Sequence, residues 1–196
     1  MPDLSLEKKS LRSEMRVRVG ALSVPDRAAA SASIREHLRA YLLSWLAGQR
    51  DSASPLVASF AGLPDEPDLL PLVEEDTLPL RWCFPRVVGP DLEFHPIAKA
   101  GDFETGSFGI REPRPENPVT ISEIDLFLVP GMAFDANTGL RLGRGKGFYD
   151  RTLARARPRP LFVGIGFSVQ LVNGIPTEPH DIPLTAVLTE SGLDAV

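Results

Sequence analysis

Six short apolar runs, set apart by turns and helix-length stretches, constrain this chain more than any other feature. They fall at 56–60, 80–84, 92–97, 125–130, 161–167 and 186–189. Two of them, LFLVP and LFVGIGF, are apolar almost without a break, the pattern of strands covered on both faces. Stretches of helical length lie at 67–75 and 148–156. This alternation predicts an α/β fold with a mostly parallel, Rossmann-like sheet. The length of 196 residues suits a single three-layer α/β/α domain over 1–196 with a real core. In such sheets ligands sit at the carboxyl ends of strands. The run at 125–130 leads towards the glycine-rich segment GLRLGRGKGFYDR, which is therefore expected at such an end.

Two helices are expected ahead of the first strand. Leu11, Met15 and Val19 recur every four residues, with Lys8, Lys9, Arg12 and Arg16 around them. The second begins near Pro25, a good first-turn residue, and presents Ile34, Leu38, Tyr41, Leu42 and Trp45 on one face before Gly48. Residues 1–50 thus read as N-terminal helices packing on the sheet.

Charge is distributed unevenly. The chain carries −5 overall, but 141–159 hold Arg141, Arg144, Lys146, Arg151, Arg155, Arg157 and Arg159 against Asp150 alone, leaving −11 for the rest. A concentrated cationic patch on an acidic protein points to a local anionic ligand. It argues against nucleic acid, since aromatic residues barely interleave the patch and the remaining charge would repel a long polyanion. The opening MPDLSLEKKSLRSEM lacks the apolar core of a signal peptide, and no run approaches the ~18 apolar residues of a membrane helix. The single cysteine, Cys83 in RWCFP, excludes an internal disulfide and is expected to be a buried small hydrophobe. A monomeric cytoplasmic protein with small-molecule ligands is the expectation.

In the glycine segment, Gly143, Gly145 and Gly147 alternate with Arg144 and Lys146. Glycines let the backbone approach a phosphate closely, and the two cations can neutralise its oxygens, arginine as a fork and lysine as a point charge. Tyr149 and Asp150 open a helix whose free N–H groups favour an anion. Asp150, the one acid in this surround, suits a ligand for Mg²⁺ carried by a nucleotide. The spacing fits neither a P-loop nor a dinucleotide fingerprint. On spacing alone, a flexible basic turn before a solvated helix stays open as the other reading.

The stretch LVPGMAFDANTGLRLGRGKGFYDR resembles the signature of the 5-formyltetrahydrofolate cyclo-ligase family, also called methenyltetrahydrofolate synthetases. In that family V-P-G and A/G-F-D precede R-L-G-x-G-x-G-[YF]-Y-D. KKSLR near the start is similar to the family's K-x-x-x-R, FAGLPDEPD to its acidic segment, FGIREP to F-G-I-x-E-P, and EPHDIPLTAVLTE to its closing E-x-H-D-x-P segment. The matches run in family order over 8–190. The resemblance implies ATP-dependent closure of 5-formyltetrahydrofolate to 5,10-methenyltetrahydrofolate, with ADP and phosphate released. It places Lys8, Arg12 and the loop Arg141, Leu142, Gly143, Arg144, Gly145, Lys146, Gly147, Phe148 and Tyr149 at ATP. It places Arg12, Leu63, Glu66, Asp68, Arg144, Lys146 and Phe148 at the folate. It also implies that Arg144 and Lys146 carry the catalysis and that Asp150 and Asp181 are the carboxylates for Mg²⁺.

Phe148 stands where many members of that family have tyrosine, which removes one hydroxyl and keeps an aromatic face. His180, with no second histidine at ligand spacing, is expected to be structural or to support a neighbouring group. Trp45 is expected in helix packing and Arg155, Arg157 and Arg159 on a solvated surface. Glu112 reads as a local cap or ion-pair partner, and Phe108 as either a cover for a pterin or a core aromatic.

Overall fold

A computed structural model describes residues 3–49, 54–75, 77–106, 111–156, 160–178 and 180–196. Helix α1 (Leu4–Gly20) starts where the Asp3 carboxylate accepts the N–H groups of Ser5 and Leu6, and α2 (Val24–Gly48) where the Ser23 hydroxyl accepts that of Asp26. Then follow strand β1 (Leu56–Ala58), helix α3 (Leu70–Glu74), and the strands β2 (Arg81–Val88) and β3 (Asp91–Ile97). A small hairpin, β4 (Phe103–Thr105) and β5 (Arg111–Pro113), precedes β6 (Leu126–Pro130). A second hairpin, β7 (Ala133–Asp135) and β8 (Leu140–Leu142), leads into α4 (Phe148–Arg155). The chain closes with β9 (Leu161–Ile165), β10 (Ala186–Thr189) and β11 (Gly192–Ala195).

Seven strands form the main sheet in the order β11-β10-β9-β6-β1-β2-β3. The five inner strands run parallel, and only β3 and β11 at the two edges pair antiparallel. The fold is thus the mixed α/β architecture with a mostly parallel sheet that the alternating runs predict.

The alternation of side chains builds the layers. On one face Val57, Trp82, Phe84, Leu126, Leu128, Val163 and Leu188 meet Ile34, Leu38 and Leu42 of α2. On the other, Leu56, Ala58, Cys83, Phe127, Val129, Phe162 and Val187 meet Leu153 and Ala156 at α4. Consecutive strand residues fall into opposite clusters, which is the period of two made visible. Burial of Ile34, Leu38 and Leu42, each fully enclosed, stabilises the α2 contact by roughly 1.5–3 kcal/mol per side chain. Trp45 packs against the same cluster, as expected for a helix-packing residue. Cys83 is fully buried, and burial pushes its thiol up, away from the reactive thiolate.

Three details depart from the expected elements. The helix expected over 67–75 is only the single turn Leu70–Glu74. The backbone before it is held open: Asp68 N–H donates to Ser31 Oγ, and the Asp68 carboxylate accepts Leu70 N–H. The strand expected over 80–84 runs on to Val88 and turns through Gly89, at φ +58°, into β3. The two hairpins and β11 are too short to show a period. The Phe108 position and Arg157 and Arg159 lie outside the described residues.

Candidate active site

The chain passes from β1 outward to β2 and only later enters β6 on the other side of β1. The carboxyl ends of β1 and β6 therefore part at a topological switch point. A cavity of about 420 Å³ opens there. Phe60 and Leu63 line it beyond β1, Pro85 and Val87 from β2, and Pro130–Gly131 from the end of β6.

The remaining wall is the glycine loop. The β7–β8 hairpin folds back on the end of β6, with Met132 N–H donating to Leu142 O at 2.7 Å. Its turn is clamped by Asp135, a buried carboxylate that accepts Asn137 N–H at 3.0 Å and Gly174 N–H at 2.9 Å. The hairpin thereby delivers Arg141, Gly143 and Gly147 to the cavity rim. Gly147 caps α4 at φ +68° and Gly145 lies at φ +98°, both in the left-handed region that suits glycine. Gly143, Arg144, Lys146, Gly147, Phe148, Tyr149 and Asp150 all line the cavity, as do Arg141, Leu63 and Glu66.

Each described arginine of the basic segment has an intramolecular partner. Arg141 is buried, donates to the Asp150 carboxylate at 2.5 Å, and lies 5.7 Å from the centre of the Tyr149 ring. Burial lowers its pKa, against the opposing charge of Asp150. Arg144 reaches the turn beyond β1 and donates to Asp65 and Glu66. Burial opposes its charge, but the two carboxylates prevail and raise its pKa. Arg151 donates to Lys146 O at 3.1 Å and lies against the Phe148 ring, and Arg155 is half-exposed and pairs with Asp91. Lys146 is exposed at the cavity, and no acidic side chain among the described residues pairs with its ammonium.

Helix α1 supports the loop from outside the cavity lining. Arg12 Nε donates to Gly143 O at 2.9 Å. Lys8 is buried, and its ammonium donates to Glu178 at 2.8 Å and Asp181 at 2.9 Å. Burial disfavours the Lys8 charge, yet the two carboxylates raise its pKa. Burial likewise disfavours the Asp181 charge, but Glu178 N–H and Lys8 hold its carboxyl below the usual range. Asp181 also acts on the charge of Arg141. Ligand atoms of Glu178, His180 and Asp181 fall within 4.8 Å of one another, with His180 exposed to solvent.

Of the residues singled out in the sequence, Leu142 is buried in a small core with Met15, Met132 and Ile175, and Gly145 packs beside the Arg12 guanidinium. Asp68 is exposed, accepts Leu70 N–H at the start of α3 and does not line the cavity. Glu112 does line it, almost wholly buried, and accepts Val87 N–H at 3.4 Å. Tyr149 OH is buried with no hydrogen-bond partner among the described residues, and burial pushes its pKa upward. Sequence reasoning missed Asp65 and Glu178, the acids that hold Arg144 and Lys8. Their signal is present only as two more acids inside segments already noted.

Comparison with known proteins shows which family the chain resembles. Over 201 aligned residues the chain is 33% identical to the 5-formyltetrahydrofolate cyclo-ligase of Mycolicibacterium smegmatis, covering 92% of this chain and 95% of that one. The cyclo-ligase of Escherichia coli K12 is 34% identical over 69% of this chain and 78% of its own. In structure, the 5,10-methenyltetrahydrofolate synthetase of Aquifex aeolicus superposes with a TM-score of 0.80 at 30% identity, covering 96% of this chain and 92% of that one. The Mycoplasma pneumoniae synthetase, at 21% identity, shares the fold with a TM-score of 0.71 over 94% of this chain and 99% of its own. The glycine loop, the acidic turn and the Lys8 cluster all lie within residues 5–190, the span matched by the family model, and the chain belongs to the 5-formyltetrahydrofolate cyclo-ligase family.

Proposed function

We propose that this protein converts 5-formyltetrahydrofolate to 5,10-methenyltetrahydrofolate at the expense of ATP, releasing ADP and phosphate. One observation carries the reading: a single cavity joins an apolar wall of Phe60, Val87, Leu92 and Phe148 to the cations Arg144 and Lys146. A pterin ring and a triphosphate can therefore meet in one chamber.

The formyl oxygen of the substrate is a poor leaving group. In the proposed reaction it attacks the γ-phosphorus, and the bond to the ADP oxygen breaks. N10 of the folate then attacks the activated carbon and loses its proton, and phosphate leaves with the former formyl oxygen. Such a transfer needs positioning and charge neutralisation above all. Lys146, unpaired with any described acid, meets the phosphoryl group as a point charge, and Arg144 adds a planar fork. Arg12 holds the loop through Gly143 O. Leu63, Glu66 and Phe148 bound the folate side.

Magnesium fits the donors at hand, because it favours one or two carboxylates together with phosphates and water. Asp150 lines the cavity with one oxygen on Arg141, whereas Asp181 stands outside the cavity lining beside Glu178 and His180, held by Lys8. These two carboxylates would hold the metal, which when bound draws charge from the phosphate oxygens. Among the described residues no helix is long and apolar enough to cross a membrane. With its lone buried thiol, the protein is proposed to act as a cytoplasmic monomer.

The test is absorbance in the methenyl-folate band with purified protein, 5-formyltetrahydrofolate and ATP. A rise that requires ATP, and is lost on chelation of Mg²⁺, supports the reading. No rise, while a non-hydrolysable ATP analogue still binds, would redirect the site to another substrate.

A further inference from the structure

Arg144 spans from the glycine loop to the turn beyond β1. Its guanidinium donates to Glu66 at 2.9 Å and to Asp65 at 2.7 Å. The Glu66 side chain is 8% exposed, and its other oxygen accepts Leu63 N–H at 3.0 Å. Asp65 is the outer partner, at 44% exposure, and does not line the cavity, whereas Arg144 and Glu66 do. The two residues that the proposed function assigns to different substrates are thus bonded to each other.

Arg144 commits its Nε and Nη2 edge to the two carboxylates, so that edge cannot also close on a phosphate, and their charges offset the one it would offer there. Glu66, nearly buried, keeps its charge balanced by Arg144 until another donor arrives. We propose that Asp65 and Glu66 form a latch on Arg144 whose opening couples nucleotide binding to folate binding, with Asp65 as the positioning residue that sets the strength of the coupling. A triphosphate that draws Arg144 away leaves Glu66 to accept N–H groups of the pterin. A pterin bound to Glu66 leaves Arg144 to the phosphates. Each ligand selects the open latch, so each raises the affinity of the other by the same factor. The inference rests on the proposed function, in which one cavity takes both substrates.

The latch has a definite arithmetic. If the closed form outweighs the open form by a factor K, either ligand alone binds 1 + K times more weakly than it does once the other has opened the latch. An exposed ion pair such as Arg144–Asp65 contributes about a two- to fivefold factor to K.

The experiment is calorimetric titration of a magnesium complex of a non-hydrolysable ATP analogue, and of 5-formyltetrahydrofolate, each alone and each in the presence of the other. In the unaltered protein each ligand is expected to tighten the other. Asp65→Asn should tighten both ligands when they are added alone, by one common factor of about two to five. It should shrink their mutual effect by that same factor, and Asp65→Glu should restore it. Loss of a merely structural contact would weaken binding instead, without any exchange between single-ligand affinity and coupling. Unchanged coupling in Asp65→Asn, or ligands that bind independently in the unaltered protein, would overturn the inference and leave the proposed function standing. Failure of the unaltered protein to bind folate at all would overturn both.

Discussion

The carboxylate of Asp135 gives the site its sharpest stability test. It is 2% exposed and accepts Gly174 N–H through one oxygen and Asn137 N–H through the other, tying the β7–β8 turn to the segment before the Lys8 cluster. Asp135→Asn preserves the shape but points an amide N–H₂ at one of those donors. One charge-assisted bond is lost and one buried N–H is left facing a donor, a cost of about 1.5–3 kcal/mol. For a chain of this size that is a fall of roughly 3–12 °C in Tm. Burial alone would raise the Asp135 pKa, but the bonds from Gly174, Thr138 and Asn137 lower it. The carboxylate's contribution is then full above its unfolded pKa of about 3.9 and lost as pH falls through the lower folded value. Urea unfolding of both proteins from pH 7 down to about pH 3 should show a gap that is widest near neutrality and closes on the acid side. A gap that stays constant over that range, or one below about 0.5 kcal/mol at pH 7, would refute the reasoning.

Three further outcomes follow from the same geometry. Lys146→Ala should lower kcat by about 10²–10³-fold while leaving the urea midpoint unchanged, because the Lys146 side chain is exposed and pairs with no described acid; steady-state kinetics beside an unfolding curve checks this. Gly147→Ala forces a side chain to φ +68° at the cap of α4, costing about 1–2 kcal/mol and lowering turnover more than folate affinity, as separate measurements of kcat and Kd would show. Lys8→Met removes the ammonium from Asp181, whose side chain is 13% exposed. It should cost about 2–4 kcal/mol, less than a fully buried pair, and unfolding of the variant in urea reads it directly.

The fold was legible because its signal is periodic and local. LFLVP and LFVGIGF lie where β6 and β9 do, and Ile34, Leu38 and Leu42 form the buried face of α2. What escaped is short or held by distant contacts. The Leu70–Glu74 turn is cut off from a longer helix by Ser31, which lies 37 residues before the Asp68 amide it accepts. No window of sequence around 67–75 contains that information. The three-residue strands of the small hairpins are too brief to display a period of two.

The site divides along the same line. Residue types in the loop foretold its cations, its glycines and its single acid, and the switch point put that loop at a cavity. The sequence did not say what those cations hold. Arg144 finds its carboxylates 78 and 79 positions away, and Lys8 finds Asp181 173 positions away. Read locally, seven cations against one acid form a patch awaiting a local anionic ligand. In the folded chain, Arg144, Arg151 and Arg155 each face a carboxylate drawn from the acidic remainder, and Arg141 faces Asp150, the segment's own acid. That neutralisation changes the physics of binding: an anion must exchange partners with the protein, not merely settle on free charge. Affinity for a triphosphate is then a difference between two sets of ion pairs. Asp65, half-exposed and outside the cavity, can tune that difference without touching either substrate.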